Sequence, residues 1–561
     1  MLEERRSEAG AVQVQSGTDA PVDAATLQGA YRDPVTWAIV VAVFGAYLAL
    51  SLFRLLQLDP SSWDLGIYTE YVKQLAHLHA PIVDVRGPGF NLLGDHFQVA
   101  VALIAPFFRV FPSPATLLVA QALLTAVSVF PVAQAGTALL GRGAGRAIGA
   151  AYGFSWGLQQ MINFDFHEIA FAVPLLAFSL SALVRGRTRA AVLWALPLVF
   201  VKEDQGFTVA AIGLLILAAG AFPGRAERRS GNGPATAPLR PGPLGLIRCS
   251  IPGGLFLVWW GVAWSLLVIA VIIPHFNEVH RYFYWNDGGV VGGGPPFSST
   301  GLVAQAFHGW PVKVQTVVLL LLPTAFIAIG SPIALVALPS LALRFISTNE
   351  SYWGTLWHYN ATVMPVLFIA AIEAMARWRR ISSPHPAPDT SGAQPAVVWH
   401  GSPRARSGAT NAVSVRLRAW SGSLRETSAS LRAAAARHGA PVMLAVAATF
   451  AFQFPLSNLW HGSTYQISPH VAAADAAMAQ VPDGATVQTT LDLLAPLAAR
   501  TDTFWIGNAG NPVTQYVVFD APNSGYSPEP KSVPAFIKQL YPKDGYVQIF
   551  ERDQVYVFRR G

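Results

Sequence analysis

The chain is a succession of long apolar runs broken by short polar clusters, and that pattern confines it to the membrane. A spanning helix needs about 20 apolar residues. Runs of that length, or somewhat shorter, occupy 35–56, 114–140, 147–162, 169–184, 188–202, 205–222, 251–273, 314–329, 331–346, 360–376 and 440–455. Of 561 residues only 12% are charged, roughly half the share of an ordinary soluble domain. The formal charge of +7 does not point to nucleic acid, because the arginines gather in blocks beside apolar runs. There they act as cytoplasmic anchors.

Charge asymmetry sets an expected orientation. If every run crosses and the N-terminus lies inside, Arg142 and Arg146 fall inside, as do Arg185, Arg187 and Arg189 and the arginine-rich 377–438. The acidic and histidine clusters then fall outside. The expected protein is an all-α, multi-pass cell-membrane protein with eleven crossings, a cytoplasmic N-terminus and a small extracytoplasmic α/β domain at its C-terminus. Its parts are a disordered cytoplasmic tail (1–34), a transmembrane core (35–376), a disordered basic cytoplasmic linker (377–438), a last span (439–455) and the outer domain (456–561). The segment 97–112 contains Pro106 and Arg109 and reads as an interfacial or re-entrant helix. In the outer domain, periodicity predicts helices at 471–481 and 491–500 and strands at 485–490, 503–506 and 516–520. A hairpin is expected from 546–550 and 555–559. The single cysteine, Cys249, excludes an internal disulfide. No internal repeat is evident, which weighs against a transporter built from inverted halves.

Charge at or below the membrane surface is costly and usually marks a cavity that handles something polar. Asp64, after the first span, reads either as a helix cap or as a general base. Asp95 and His96 read as a cap for the following helix or as support for such a base. The run Asn163-Phe164-Asp165-Phe166-His167-Glu168 offers two carboxylates and an imidazole. Capping, substrate contact and metal binding all remain open there, although the two-histidine spacing of a metal helix is missing. Lys202-Glu203-Asp204 is hardest to explain as structure alone. Lys202 suits a phosphate and the two acids suit sugar hydroxyls, while mutual ion pairing is the alternative. The spans around these clusters are short, so both would sit in an outward recess. The aromatic run around Tyr282 and Tyr284 has the composition of a membrane-surface belt. Arg344, on the outer side against the charge bias, suggests an anionic partner.

Asp64-Leu65-Gly66-Ile67, Asn91-Leu92-Leu93-Gly94-Asp95-His96-Phe97, Phe164-Asp165-Phe166-His167, Val201-Lys202-Glu203-Asp204 and His358-Tyr359 together resemble an uncharacterised bacterial and archaeal integral-membrane family. That family is a domain of unknown function grouped with the GT-C glycosyltransferases. The resemblance spans roughly 35–376 and the outer domain. It implies a GT-C-like architecture, a polyprenyl-phosphate sugar donor and transfer to an envelope glycan, lipid or protein on the outer face. It also implies a catalytic acid in the first outer loop, where Asp64 stands without an adjacent acid; Glu70 and Asp95 are its candidate partners. A divalent metal is left open. On this reading Asp64 is the base, supported by Asp95 and His96. Lys202 and Arg344 hold phosphate, and Asp165, His167, Glu168, Glu203, Asp204, His358 and Tyr359 shape the substrate pocket. The competing readings are a transporter or lipid flippase, and a non-catalytic binding or assembly protein acting through its outer domain.

Overall fold

The computed structural model describes residues 33–221, 247–282, 284, 299–382, 412–526 and 528–561. The expected tail (1–34) and the stretch 383–411 of the expected linker lie, apart from Asp33 and Pro34, outside them. Four helices are long and apolar enough to cross a membrane: Pro34–Leu56, Pro114–Leu140, Ile251–Phe276 and His358–Ile381. Six shorter apolar helices accompany them: Val99–Val110, Glu168–Val184, Thr188–Phe200, Gln205–Gly220, Trp310–Thr324 and Pro332–Phe345.

Local chemistry explains where these helices begin. Pro34 and Pro114 stand at first-turn positions, where a missing N–H costs nothing. The Ser113 hydroxyl accepts the Ala115 N–H at 3.2 Å. Close packing explains how they pair. A Cβ on Gly206 would lie 2.2 Å from the Gly261 carbonyl oxygen, so the helices Gln205–Ala221 and Ile251–Leu267 touch backbone to backbone. His358–Ile381 runs through the centre, with nearly all of its apolar side chains buried.

Several expected spans are interrupted. The run 147–162 divides into Arg142–Gly153 and Trp156–Asn163, with Phe154 and Ser155 between them. Beyond Pro323, Ala325 and Phe326 take positive φ values of 48° and 60° and break the run 314–329. Residues 97–112 form a 3-10 turn, Val99–Ile104, and a short helix, Ala105–Val110. The disorder expected over 412–438 is a correction: Ala412–Ala451 is one continuous helix. Four consecutive alanines at 433–436 favour helix, and the apolar segment after them lets it propagate outward.

The C-terminal domain carries a five-stranded sheet in the order β2-β1-β3-β5-β4, from β1 (Thr486–Thr489), β2 (Asp502–Trp505), β3 (Tyr516–Asp520), β4 (Tyr546–Arg552) and β5 (Val555–Arg560). β1 is parallel to β2 and β3, whereas β5 is antiparallel to β3 and β4. Asp553 and Gln554 close the hairpin with φ of 48° and 62°, the double left-handed geometry that suits a tight hairpin turn. The helix Val533–Leu540, not among the expected elements, covers one face through Val533 and Ile537.

This domain sits on the helix Asp64–Ala76. Leu494, Ala495 and Ala498 belong to the same apolar core as the membrane helices. The contact at Gly66 is tight, since a Cβ there would lie 2.9 Å from the Leu494 Cβ. Lys73 Nζ donates to the Thr501 carbonyl at 2.7 Å, Asn508 donates to the Val85 carbonyl at 2.9 Å, and Trp63 meets Trp505 edge to face at 5.1 Å.

Candidate functional site

Four chain segments that break between helices meet in one recess with about 970 Å³ of empty space. His96, Lys202, Glu203, Asp204, Arg344 and Tyr359 line it, as do Tyr282, Tyr284 and Tyr352. Ile169, Phe207, Ile269 and Leu343 give it an apolar flank.

Glu203 anchors one wall. Its carboxylate contacts His96 Nδ1 at 2.7 Å and accepts the Tyr282 hydroxyl at 3.0 Å and the Phe97 N–H at 3.2 Å. Burial alone would raise Glu203 and lower His96. Their mutual attraction outweighs it, so Glu203 sits below and His96 above its ordinary value. Asp95 is held by the Tyr284 hydroxyl at 2.9 Å and faces Arg86 at 3.6 Å, while the His96 and Tyr284 rings stack at 4.5 Å.

Behind this wall, Glu168 is fully buried and shared among three partners. Lys202 Nζ lies 2.9 Å from one oxygen, and Tyr68 and His167 contact the other. His167 stacks on His358 with ring centres 3.5 Å apart. Both nitrogens of His358 are buried without a hydrogen-bond partner. Among the described residues no set of three or more His, Cys, Asp or Glu side chains is arranged to hold a metal ion.

Arg344 is a buried cation on the recess. Its side chain is buried, and its guanidinium donates to the carbonyls of Tyr352 (2.9 Å), Tyr359 (3.2 Å) and Gly354 (3.4 Å) and to Asn360 Oδ1 at 3.1 Å. All four acceptors are neutral. No carboxylate among the described residues pairs with it, so its charge faces the recess uncompensated. Asp204 also lines the recess and, among the described residues, makes no ion pair; Gln205 donates to it at 3.2 Å, and the Lys202 charge acts on it from further away. Burial pushes its carboxyl up.

Asp64 begins the helix Asp64–Ala76 next to this cluster, though not on the recess lining itself. It is half-buried, and burial raises its carboxyl above the usual value while His167 and Lys202 act to lower it. Glu70 is not its partner. One turn and a half further along that helix, its carboxylate accepts the Val85 N–H at 2.9 Å, and burial pushes it up to about 7.

Asp165 stands apart from the recess. With φ of 70°, its carboxylate accepts the Ser61 N–H at 2.7 Å and faces Arg54 at 3.8 Å, and its carbonyl accepts from Gln121. It braces a loop. The aromatic run around Tyr282 and Tyr284, by contrast, supplies two hydroxyls to the recess; a tyrosine pair beside charged residues was the available signal. Tyr68, a core residue by its helical spacing, carries no such signal.

Fold and recess together define a multi-pass membrane protein in which several buried charges gather at one polar recess. Residues 54–389 match the family model described as "Predicted membrane protein (DUF2079)", and the chain belongs to that family. No curated protein matches it. Among solved structures, "Crystal Structure of ArnT from Cupriavidus metallidurans bound to Undecaprenyl phosphate" is similar over 92% of this chain and 97% of that one, at 13% identity and a TM-score of 0.49.

Proposed function

We propose that the protein is a membrane glycosyltransferase that moves a sugar from a polyprenyl-phosphate carrier to a cell-envelope acceptor on the outer face. Arg344 carries this reading. A buried guanidinium with only neutral acceptors, opening on a recess that is polar on one side and apolar on the other, suits an amphipathic anion. Lys202 is the second cation on that wall, and Glu203, Asp204 and the tyrosines offer acceptors and donors for sugar hydroxyls.

In the proposed step, an acceptor hydroxyl oxygen attacks the anomeric carbon while the bond from that carbon to the phosphate oxygen breaks. The hydroxyl proton passes to Asp64, and the departing phosphate keeps the bonding pair and its charge, which Arg344 and Lys202 stabilise. Burial supports Asp64 as a base, because a raised carboxyl accepts a proton more readily. Its neighbours in this step are His167, Glu168 and Lys202, while His96 contacts Glu203 and Asp95 contacts Tyr284.

Mass spectrometry of lipid-linked sugars tests the reading, in a deletion strain complemented with wild type or Asp64→Asn. Loss of a general base lowers transfer by roughly 10²–10⁴-fold. Accumulation of one polyprenyl-phosphate sugar in both the deletion and the variant is expected. An unchanged lipid profile in the deletion overturns the proposal.

A further inference from the structure

The helix Pro34–Leu56 ends against the C-terminal domain, and that contact is incomplete on both sides. Gln57 Nε2 donates to the carbonyls of Ser463 and Thr464 at 2.9 and 2.8 Å, and Leu58, with φ of 51°, packs on the domain's core. The same two parts of the molecule border a crevice with about 290 Å³ of empty space, Arg54, Asp59 and Asp165 from the membrane core and Asp492 from the domain. Arg54 Nη1 and Asp492 Oδ2 are both buried without a hydrogen-bond partner. One is a donor and the other an acceptor, and each costs free energy while it stays unpaired.

The remaining atoms of both groups are engaged. Arg54 Nε meets Asp59 at 3.3 Å, and Nη2 donates to the Asp59 carbonyl at 2.5 Å and the Ser61 hydroxyl at 3.1 Å and faces Asp165 at 3.8 Å. Asp492 Oδ1 accepts the Thr490 hydroxyl at 3.0 Å. Asp520, its fully buried neighbour, is matched by His470 Nε2 at 2.7 Å, while His470 Nδ1 faces Asp553 at 3.3 Å. Burial would lower His470, but Asp520 and Asp553 raise it. Burial, and then the adjacent Asp520 carboxyl, hold Asp492 well above the usual carboxylate range. The charged groups around Asp492 among the described residues are therefore Asp520, His470 and Asp553 within the domain, and Arg54, Asp59 and Asp165 across the crevice.

We propose that Asp492 is a proton-operated latch between the C-terminal domain and the membrane core. Protonated, it gives its hydrogen to the Asp520 carboxylate and the crevice stays open. Ionised, it releases that proton to water, turns from Asp520 to Arg54 Nη1 and closes the crevice with an ion pair. Because the folded carboxyl is raised, the open form holds at low pH, and the closed form takes over as pH rises through the folded value. Arg54 also holds Asp59 and Ser61, and the chain from there leads directly into the helix that begins with Asp64. Closing the latch thus fixes the approach to Asp64. The latch concerns the seat of the domain and holds whatever reaction the recess performs.

Infrared difference spectroscopy of the full chain in nanodiscs tests this, following the protonated-carboxyl band from about pH 4 to about pH 9 as wild type minus Asp492→Asn. A band that titrates within the window is expected, and its absence overturns the proposal. Arg54→Lys keeps a charge beside Asp165 but lacks Nη1. It should move the midpoint up by about one pH unit, a tenfold gain in proton affinity. Asp59→Asn, at a side chain 66% exposed, removes a competitor for Arg54 and should move the midpoint down. If Arg54→Lys does not fold, Asp59→Asn decides alone. A midpoint unmoved in the folded variants means that Asp492 titrates without Arg54, and the latch falls.

Discussion

The two polar ends of the helical bundle use charge in opposite ways. At one end every strong contact closes on the protein. Arg146 forks onto Asp33 at 2.6 and 3.0 Å, Arg377 meets Glu373 at 3.1 Å, and Arg379 donates to the carbonyls of Leu140 and Ala436 at 2.7 and 2.8 Å. Asp33 is held well below the usual carboxylate range by Arg146. These are anchors that satisfy helix ends and each other. At the other end, among the described residues, Arg344 and Asp204 make no ion pair, although Lys202 lies near enough to act on Asp204, and His358 has two orphaned nitrogens. A buried polar group left open costs free energy that a structural site would remove. The difference teaches that charge inside a membrane protein is diagnostic only when its partners are counted.

The contrast can be broken at several points. Lys202→Met strands Glu168 as a buried unpaired carboxylate and should cost about 3–5 kcal/mol. Lys202→Met combined with Glu168→Gln should recover most of that stability, read by thermal unfolding in detergent, while transfer stays lost. If the double variant regains transfer, Lys202 is an anchor like those at the closed end.

Glu70 sharpens the comparison through pH. Its folded carboxyl is raised to about 7, so its protonated form fits the fold. Its contribution is complete below the unfolded value and is lost as pH rises from about 4.5 to about 7. Wild type should lose about 3 kcal/mol across that window relative to Glu70→Gln, measured as unfolding free energy against pH. A parallel pair of curves would remove the burial argument for this helix.

Asp33→Ala, at the closed end, should lower the melting temperature by a few degrees and leave transfer unchanged. Gly66→Ala should give the smallest effect, about 1 kcal/mol from overpacking against Leu494, with a modest loss of transfer as the Asp64 helix shifts.

Much of the site is legible in the sequence because charge is rare in apolar surroundings. Lys202-Glu203-Asp204 and Arg344 stand out on that ground alone, His358 enters through the family resemblance, and the structure brings them near one another. The motif around Asp165 is legible only as a cluster. Neither spacing nor residue type reveals that a φ of 70° at Asp165 points its carboxylate toward Arg54 while His167 and Glu168 face Lys202. Tyr282 and Tyr284 are hidden for a different reason: a membrane-surface belt and a recess wall have the same composition. In the C-terminal domain, alternating and helical periods place all five strands and the helices Pro469–Met478 and Leu494–Ala498. Helix Val533–Leu540 escapes because its apolar stripe is short.

The tight seat of Leu494 on Gly66 bears on how such proteins can be taken apart. Separating the sheet domain from the chain would strip cover from the helix that begins with Asp64, so neither piece keeps its native surface. Chimeras between family members should therefore exchange Asp64–Ala76 together with the sheet domain. The two are one structural module, although nearly four hundred residues of chain lie between them.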